Sequence, residues 1–166
     1  MLRVNTLKWI TVQRCSFHTS RTALIEKAMS PSFNVEANAK KLNISPDTLI
    51  QALTHKSYKH GNVPFNERLQ YLGRRSLEFF ATESLMNKTK NVDQLEMSVK
   101  ELFNKNNLVS KFDALDLEKG LQCHLPSKEA VTPAVKLKAL EAVIGAIYHE
   151  QGLNAAREFV KKHILA

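Results

Sequence analysis

Between Val135 and His149 an apolar residue recurs every three or four positions, at Leu140, Val143, Ile144 and Ile147, with small residues between them at Ala139, Ala142, Gly145 and Ala146. The first set forms one stripe of an α-helix. The second leaves little bulk on the adjoining positions, so a neighbouring helix can approach closely. A chain with such a segment has to supply that neighbour, and several candidates follow the same period. Ser45-Pro46-Asp47 starts a helix, with Ser45 as cap, Pro46 in the first turn, and Leu49, Ile50 and Leu53 behind them. Further helices are expected over about 66–87 and over about 92–109, the latter from Leu95, Val99, Leu102 and Phe103. Gly152 breaks the chain after the small-residue helix, and 153–164 makes a last helix with Ala155, Ala156, Phe159, Val160 and Ile164. Residues 59–64 read as a loop, and 116–134 as a looser stretch holding Gly120, Pro126 and Pro133. No segment alternates convincingly as a strand, so the expected fold class is all-α.

A length of 166 residues suits one domain with its own core. No apolar run approaches the roughly 18–20 residues of a membrane helix, so no membrane span is expected. Cys15 and Cys123 are the only cysteines, and neither has the spacing of a zinc site. The net charge is +8. Half of it lies in residues 1–25, where Arg3, Lys8, Arg14 and Arg21 meet no acidic residue, hydroxyl side chains are frequent, and Leu2, Val4, Leu7, Ile10 and Val12 can line one helix face around Trp9. That is the composition of a mitochondrial transit peptide, ending at about residue 25, and it predicts a mitochondrial matrix location. The remaining chain is mildly basic, which permits nucleic-acid contact without demanding it.

Three segments give a sharper reading. Residues 52–58 run Ala52-Leu53-Thr54-His55-Lys56-Ser57-Tyr58. Residues 66–77 run Asn66-Glu67-Arg68-Leu69-Gln70-Tyr71-Leu72-Gly73-Arg74-Arg75-Ser76-Leu77. Residues 138–148 run Lys138-Ala139-Leu140-Glu141-Ala142-Val143-Ile144-Gly145-Ala146-Ile147-Tyr148, with Gly152-Leu153 and Ala155-Ala156 after them. In order and content these resemble the ribonuclease III family, whose corresponding stretches run Ala-Leu-Thr-His-x-Ser-Tyr, Glu-Arg-Leu-Glu-Phe-Leu-Gly-Asp and Asp-x-x-Glu-Ala-Leu-Ile-Gly-Ala. The resemblance covers residues 32–165 and implies that family's helical endonuclease domain, with no double-stranded-RNA-binding domain following it in this chain.

The resemblance also implies where the chemistry would be. The family's acidic positions fall on Glu67, Gln70, Arg74, Lys138 and Glu141, and its magnesium ligands on Gln70, Arg74, Lys138 and Glu141, of which only Glu141 is an acid here. Glu67, Gln70 and Arg74 share one helix face, and Lys138 and Glu141 share another. Magnesium prefers anionic oxygen ligands, and a cation about 4–5 Å from a divalent metal costs on the order of 7 kcal/mol at an effective dielectric near 20. The expectation is therefore no bound metal, no cofactor and no enzyme. Arg74 and Lys138 are expected to pair with Glu67 and Glu141 in the metal's place.

Other residues fill in the functional reading. Lys56, Lys59, Arg74, Arg75, Lys88, Lys90, Lys136 and Lys138 are candidates for RNA phosphate contact, which sets affinity rather than sequence choice. Tyr71, Leu72, Phe79 and Phe80 are candidates for a dimer interface, because the resemblance implies pairing through the 66–87 helix. His55 reads as a structural, hydrogen-bonding histidine. The chain is most similar to the mitochondrial large-subunit ribosomal proteins of short fungal type built on this domain. That implies a ribosomal constituent that binds mitochondrial ribosomal RNA and other large-subunit proteins and pairs with a second protein of the same fold. The alternative is a mitochondrial RNA-processing factor or an inactive dimer partner of an RNase III-type endoribonuclease.

Overall fold

The computed structural model describes residues 25–125 and 131–165. The expected leader lies outside the described residues, apart from Ile25 at its end. Among the described residues there are six α-helices and one small antiparallel sheet, so the helical fold class holds. In chain order these are β1 (Ile25–Lys27), α1 (Val35–Leu42), α2 (Pro46–Leu53), α3 (Glu67–Met86), α4 (Val92–Leu102), α5 (Lys105–Ala114), β2 (Cys123–Leu125) and α6 (Pro133–His163).

The helix of small residues is the axle of the domain. Every residue from Ala139 to Ile147 is buried, as befits a helix surrounded on all sides. Leu49 and Leu53 from α2, Leu77 and Phe80 from α3, and Leu108 and Phe112 from α5 pack in the same core cluster and are fully or almost fully buried. Helix α3 is its main neighbour, and the two helices meet at a pair of glycines. A Cβ added to Gly73 would stand 2.6 Å from the Gly145 amide nitrogen, and one added to Gly145 would stand 2.9 Å from the Gly73 amide nitrogen. The backbones therefore touch where any side chain would hold them apart.

The local signals explain most boundaries. Ser45 caps α2, accepting a hydrogen bond from the Thr48 amide at 3.3 Å, and Pro46 is the first helical residue. The same cap is tied to α6: the Ser45 amide donates to Glu150 Oε2 at 2.7 Å and its hydroxyl to Oε1 at 2.7 Å. Gly152 breaks α6 with φ 81°, as its place in the sequence suggests.

Two expectations are corrected. The single helix over 92–109 is two, because Asn104 accepts a hydrogen bond from the Asn106 amide at 3.0 Å and starts α5 afresh. The loose stretch 116–134 holds strand β2, which pairs with β1 in the register Ile25 with Leu125, Glu26 with His124 and Lys27 with Cys123. Among the described residues, no helix is long and apolar enough to cross a membrane.

Candidate functional site

The three segments singled out in the sequence converge on the glycine crossing. Helix α3 brings Glu67, Gln70 and Arg74; α6 brings Lys138 and Glu141; the turn after α2 brings His55, Lys56 and Ser57. Because Gly73 and Gly145 let the backbones touch, Gln70 reaches Glu141, and its Nε2 donates to Glu141 Oε2 at 2.8 Å. Glu141 is 3% exposed and is the one acidic side chain in the buried run 139–147. Burial pushes its carboxyl above the ordinary 4.5; the Gln70 amide and the charges of Arg74 and Lys138 pull it back without cancelling that rise.

The expected pairing of acids with cations is replaced by a different arrangement. Glu67 is 3.8 Å from Lys56, with both side chains more than half exposed, a geometry that contributes little. Neither Arg74 nor Lys138 has an ion pair within 4 Å or a hydrogen bond of its side chain among the described residues; both act on Glu141 through space. Lys138 also faces the α2 turn, where burial first, and then Lys138 and Lys56, push the His55 imidazole below its ordinary value. His55 Nδ1 accepts the Ser57 amide hydrogen at 3.2 Å and lies 2.9 Å from the Ser57 hydroxyl. Its neutral ring therefore carries the proton on Nε2. Ser57 Oγ accepts the His124 amide hydrogen at 2.9 Å. His55 thus holds the Ser57 hydroxyl that fastens the turn to β2, a hydrogen-bonding part.

The donor set does not fit a divalent cation. One buried carboxylate faces an amide that already donates to it, with two cations nearby. Among the described residues no three His, Cys, Asp or Glu side chains converge as a metal site.

The charge on Glu141 has a measurable signature. A carboxyl raised on folding binds its proton more tightly in the folded state, so the contribution of Glu141 to stability is greatest below about 4.5 and falls as pH rises through the folded value. Glu141→Gln keeps an acceptor for Gln70 and abolishes that slope. Its melting temperature at pH 7 is expected to match or exceed the parent's. A lower one would mean that Arg74 and Lys138 stabilise the carboxylate by more than burial penalises it.

The remaining candidates separate. Lys136 turns inward to Asp113 at 2.9 Å and Glu118 at 2.8 Å, with a side chain only 12% exposed. Burial alone would lower its ammonium, but those two bonds raise it. Lys59 lies over the Tyr58 ring, 5.4 Å from its centroid. Arg75 pairs with Glu78 at 3.3 Å and lies over the Tyr71 ring, 5.7 Å from its centroid. Lys88 and Lys90 follow α3, whose end at Met86 lies about 18 Å along the helix axis from Arg74. Of the four interface candidates, Tyr71 (68%) and Phe79 (54%) are exposed, Leu72 is half-buried, and Phe80 (1%) belongs to the core. Gln122, absent from the sequence reading, anchors the α2 turn. It accepts the Thr54 hydroxyl hydrogen at 2.8 Å, and its backbone bonds to Leu53 and His55. No local pattern marks it, because its partners lie 67–69 positions away.

Helices packed around α6, with α3 crossing it at paired glycines and presenting the exposed Tyr71 and Phe79, define an all-helical domain class. The chain belongs to the Ribonuclease-III-like family, whose profile matches residues 45–166. It is 35% identical over 136 residues to Ribonuclease 3 of Nitratiruptor sp., covering 77% of this chain and 59% of that protein. It is 31% identical over 128 residues to Ribonuclease 3 of Thermobifida fusca, covering 73% and 53%. The chain spans about half the length of the curated relatives it matches. The solved nuclease domain of Ribonuclease III from Campylobacter jejuni, described for flexibility in a region involved in dimer formation, superposes with a TM-score of 0.67. That match is 28% identical and covers 79% of this chain and 96% of that one.

These comparisons correct the expectation that the chain is no enzyme. The relatives are ribonucleases by name and the solved neighbours are nuclease domains. Gln70, Arg74 and Lys138 alter the charge around Glu141, whereas the family match extends over residues 45–166.

Proposed function

We propose that this chain serves RNase III-type RNA processing, docking double-stranded RNA as one subunit of a dimeric endoribonuclease assembly. The observation behind the reading is the pair of cations beside the glycine crossing: Arg74 and Lys138 lack ion-pair partners within 4 Å among the described residues and are available to phosphate. Family membership supplies the class of reaction. The proposal includes a leader over residues 1–25, a domain over 32–165 and a mitochondrial location.

Duplex RNA of about two helical turns, offered to the full chain alone and to the chain co-purified with its partner, tests the reading. Retention of duplex over single strand, with cleavage by the assembly, is expected. Equal affinity for both forms would sink it.

The dimer is proposed to form through α3. Tyr71→Glu combined with Phe79→Glu is expected to turn a dimer into a monomer in sedimentation, at unchanged helical content, because both side chains are already exposed in the single chain. Unchanged sedimentation would place the interface elsewhere.

A second reading is favoured by the sign of Arg74 and Lys138, which attract a phosphate backbone without help from a metal. In it, the chain is a constituent of the mitochondrial large ribosomal subunit, bound to ribosomal RNA, to other large-subunit proteins and to a second protein of the same fold. Co-sedimentation with the large subunit through a magnesium-containing sucrose gradient and a moderate-salt wash would favour this reading; recovery at the top would exclude it.

A further inference from the structure

At the other end of α6 from Glu141 lies a cleft of about 380 Å³, bounded by α1, the turn at 115–117 and the part of α6 around and beyond Gly152. Its floor is apolar, built from Leu42, Leu115, Leu117, Ile147, Ala155 and Phe159. Its rim is cationic. Lys41 comes from the last turn of α1, and Lys162 and His163 come from the last turn of α6. The His163 ring lies against Phe159, with centroids 4.8 Å apart and planes at 34°. Burial, then the charges of Lys162 and Lys41, press His163 toward its neutral form. The acid among the lining residues, Glu158, is already within 3.4 Å of Lys161. Lys41 and Lys162, with no ion pair within 4 Å among the described residues, thus flank a greasy floor on which Glu158 is the one acid.

We propose that this cleft docks an acidic amphipathic segment of a partner protein. Large apolar side chains of that segment sit over Phe159 and Leu117, and flanking carboxylates meet Lys41 and Lys162. The volume falls within the range of about 300–1,000 Å³ that buries most of a compact ligand. The charge pattern selects the occupant. A nucleic-acid backbone answers the lysines but has no aliphatic surface for Leu42, Leu117, Ile147 and Ala155. An uncharged apolar segment answers the floor but leaves the cations unbalanced. A segment with Leu and Phe at helical spacing between Glu residues answers both, in the helix-in-groove manner. This inference does not depend on the proposed RNA cleft, which lies at Glu141, eleven residues before Gly152 and about 16 Å from it along the helix.

The probe is a fluorescein-labelled synthetic peptide of about twelve residues with that pattern, titrated with the full chain and read by anisotropy. Saturable binding is expected. It should weaken at least about tenfold in a variant carrying Lys41→Glu and Lys162→Glu, and separately in Ala155→Leu, which fills the floor. The two lysines are exposed, so the charge-reversed variant is expected to melt as the parent does. Equal binding by parent and charge-reversed chain, equal binding of a peptide with Lys for Glu, or no binding at all overturns the proposal. Loss of duplex-RNA affinity in the Lys41→Glu, Lys162→Glu chain, without peptide binding, overturns it in favour of RNA at this cleft.

Discussion

Gly145→Ala is expected to destabilise the domain by about 3 kcal/mol or more and to lower its melting temperature by about 10 °C or more. The sign runs against helix propensity, which favours alanine over glycine by about 1 kcal/mol in a helix interior. What decides it is the crossing. The added methyl group would collide with the backbone of Leu69 and stand 2.9 Å from the Gly73 amide nitrogen, and backbone in the middle of a helix cannot swing aside as a side chain can. Relief requires α3 and α6 to move apart, which opens the packing of Leu77, Phe80, Leu140 and Ile144 together. Gly73→Ala should behave alike, since its methyl group meets the Glu141 backbone and the Gly145 amide. Gly152→Ala separates the two uses of glycine. A Cβ there meets nothing within 4 Å, so any cost comes only from φ 81°. Thermal melts of the three variants check the ranking. A Gly145→Ala melting temperature within 2–3 °C of the parent's, roughly a 1 kcal/mol effect, would show that the helices cross less tightly.

Neutralising Arg74 and Lys138 is expected to have the largest effect on RNA. Arg74→Gln with Lys138→Gln removes two cations without adding acids, and duplex affinity at about 0.1 M salt should fall between about 10- and 100-fold. The slope of log affinity against log salt should shrink by roughly 0.9 per lost phosphate contact, close to 2 for the pair. That second readout matters because a misfolded variant loses affinity at every salt concentration, whereas a lost contact changes the slope. Arg74 is exposed and Lys138 half-buried, and neither holds an ion pair within 4 Å among the described residues, so the melting temperature should change little. Affinity within threefold of the parent, with an unchanged slope, would remove the crossing from the RNA path.

Much of this domain is legible in its sequence, because the strongest signals are local and periodic. The stripe at Leu140, Val143, Ile144 and Ile147, the break at Gly152 and the cap at Ser45 each specify an element through its own neighbours. Apolar spacing that runs through Phe103 reads as one helix over 92–109, while the signal that divides it, Asn104 as a new cap, is a single residue. The β1–β2 pair escaped because three-residue strands are too short to show a period, and their partners are almost a hundred positions apart.

The candidate site divides in the same way. The positions Glu67, Gln70, Arg74, Lys138 and Glu141 came from local motifs, and the fold gathers them at one crossing. Who pairs with whom did not, because it is a long-range property. Glu141 takes its hydrogen bond from Gln70 rather than a cation, and Lys136, which reads as a candidate for RNA phosphate contact, is claimed by two acids from α5 and the turn beyond it. The family, too, is legible in three local motifs and is borne out over the whole domain, whereas three altered side chains are a poor guide to whether it is an enzyme's.

The link between Ser45 and Glu150 bears on the order of assembly. The residue that caps α2 is held by a carboxylate 105 positions later in the chain. An eight-residue helix is too short to persist alone in water. During synthesis, α2 and the turn that follows it therefore stay uncommitted until the first part of α6 has emerged. Local helix formation and long-range closure become one late, cooperative event, and a chain truncated before Glu150 lacks the group that joins them.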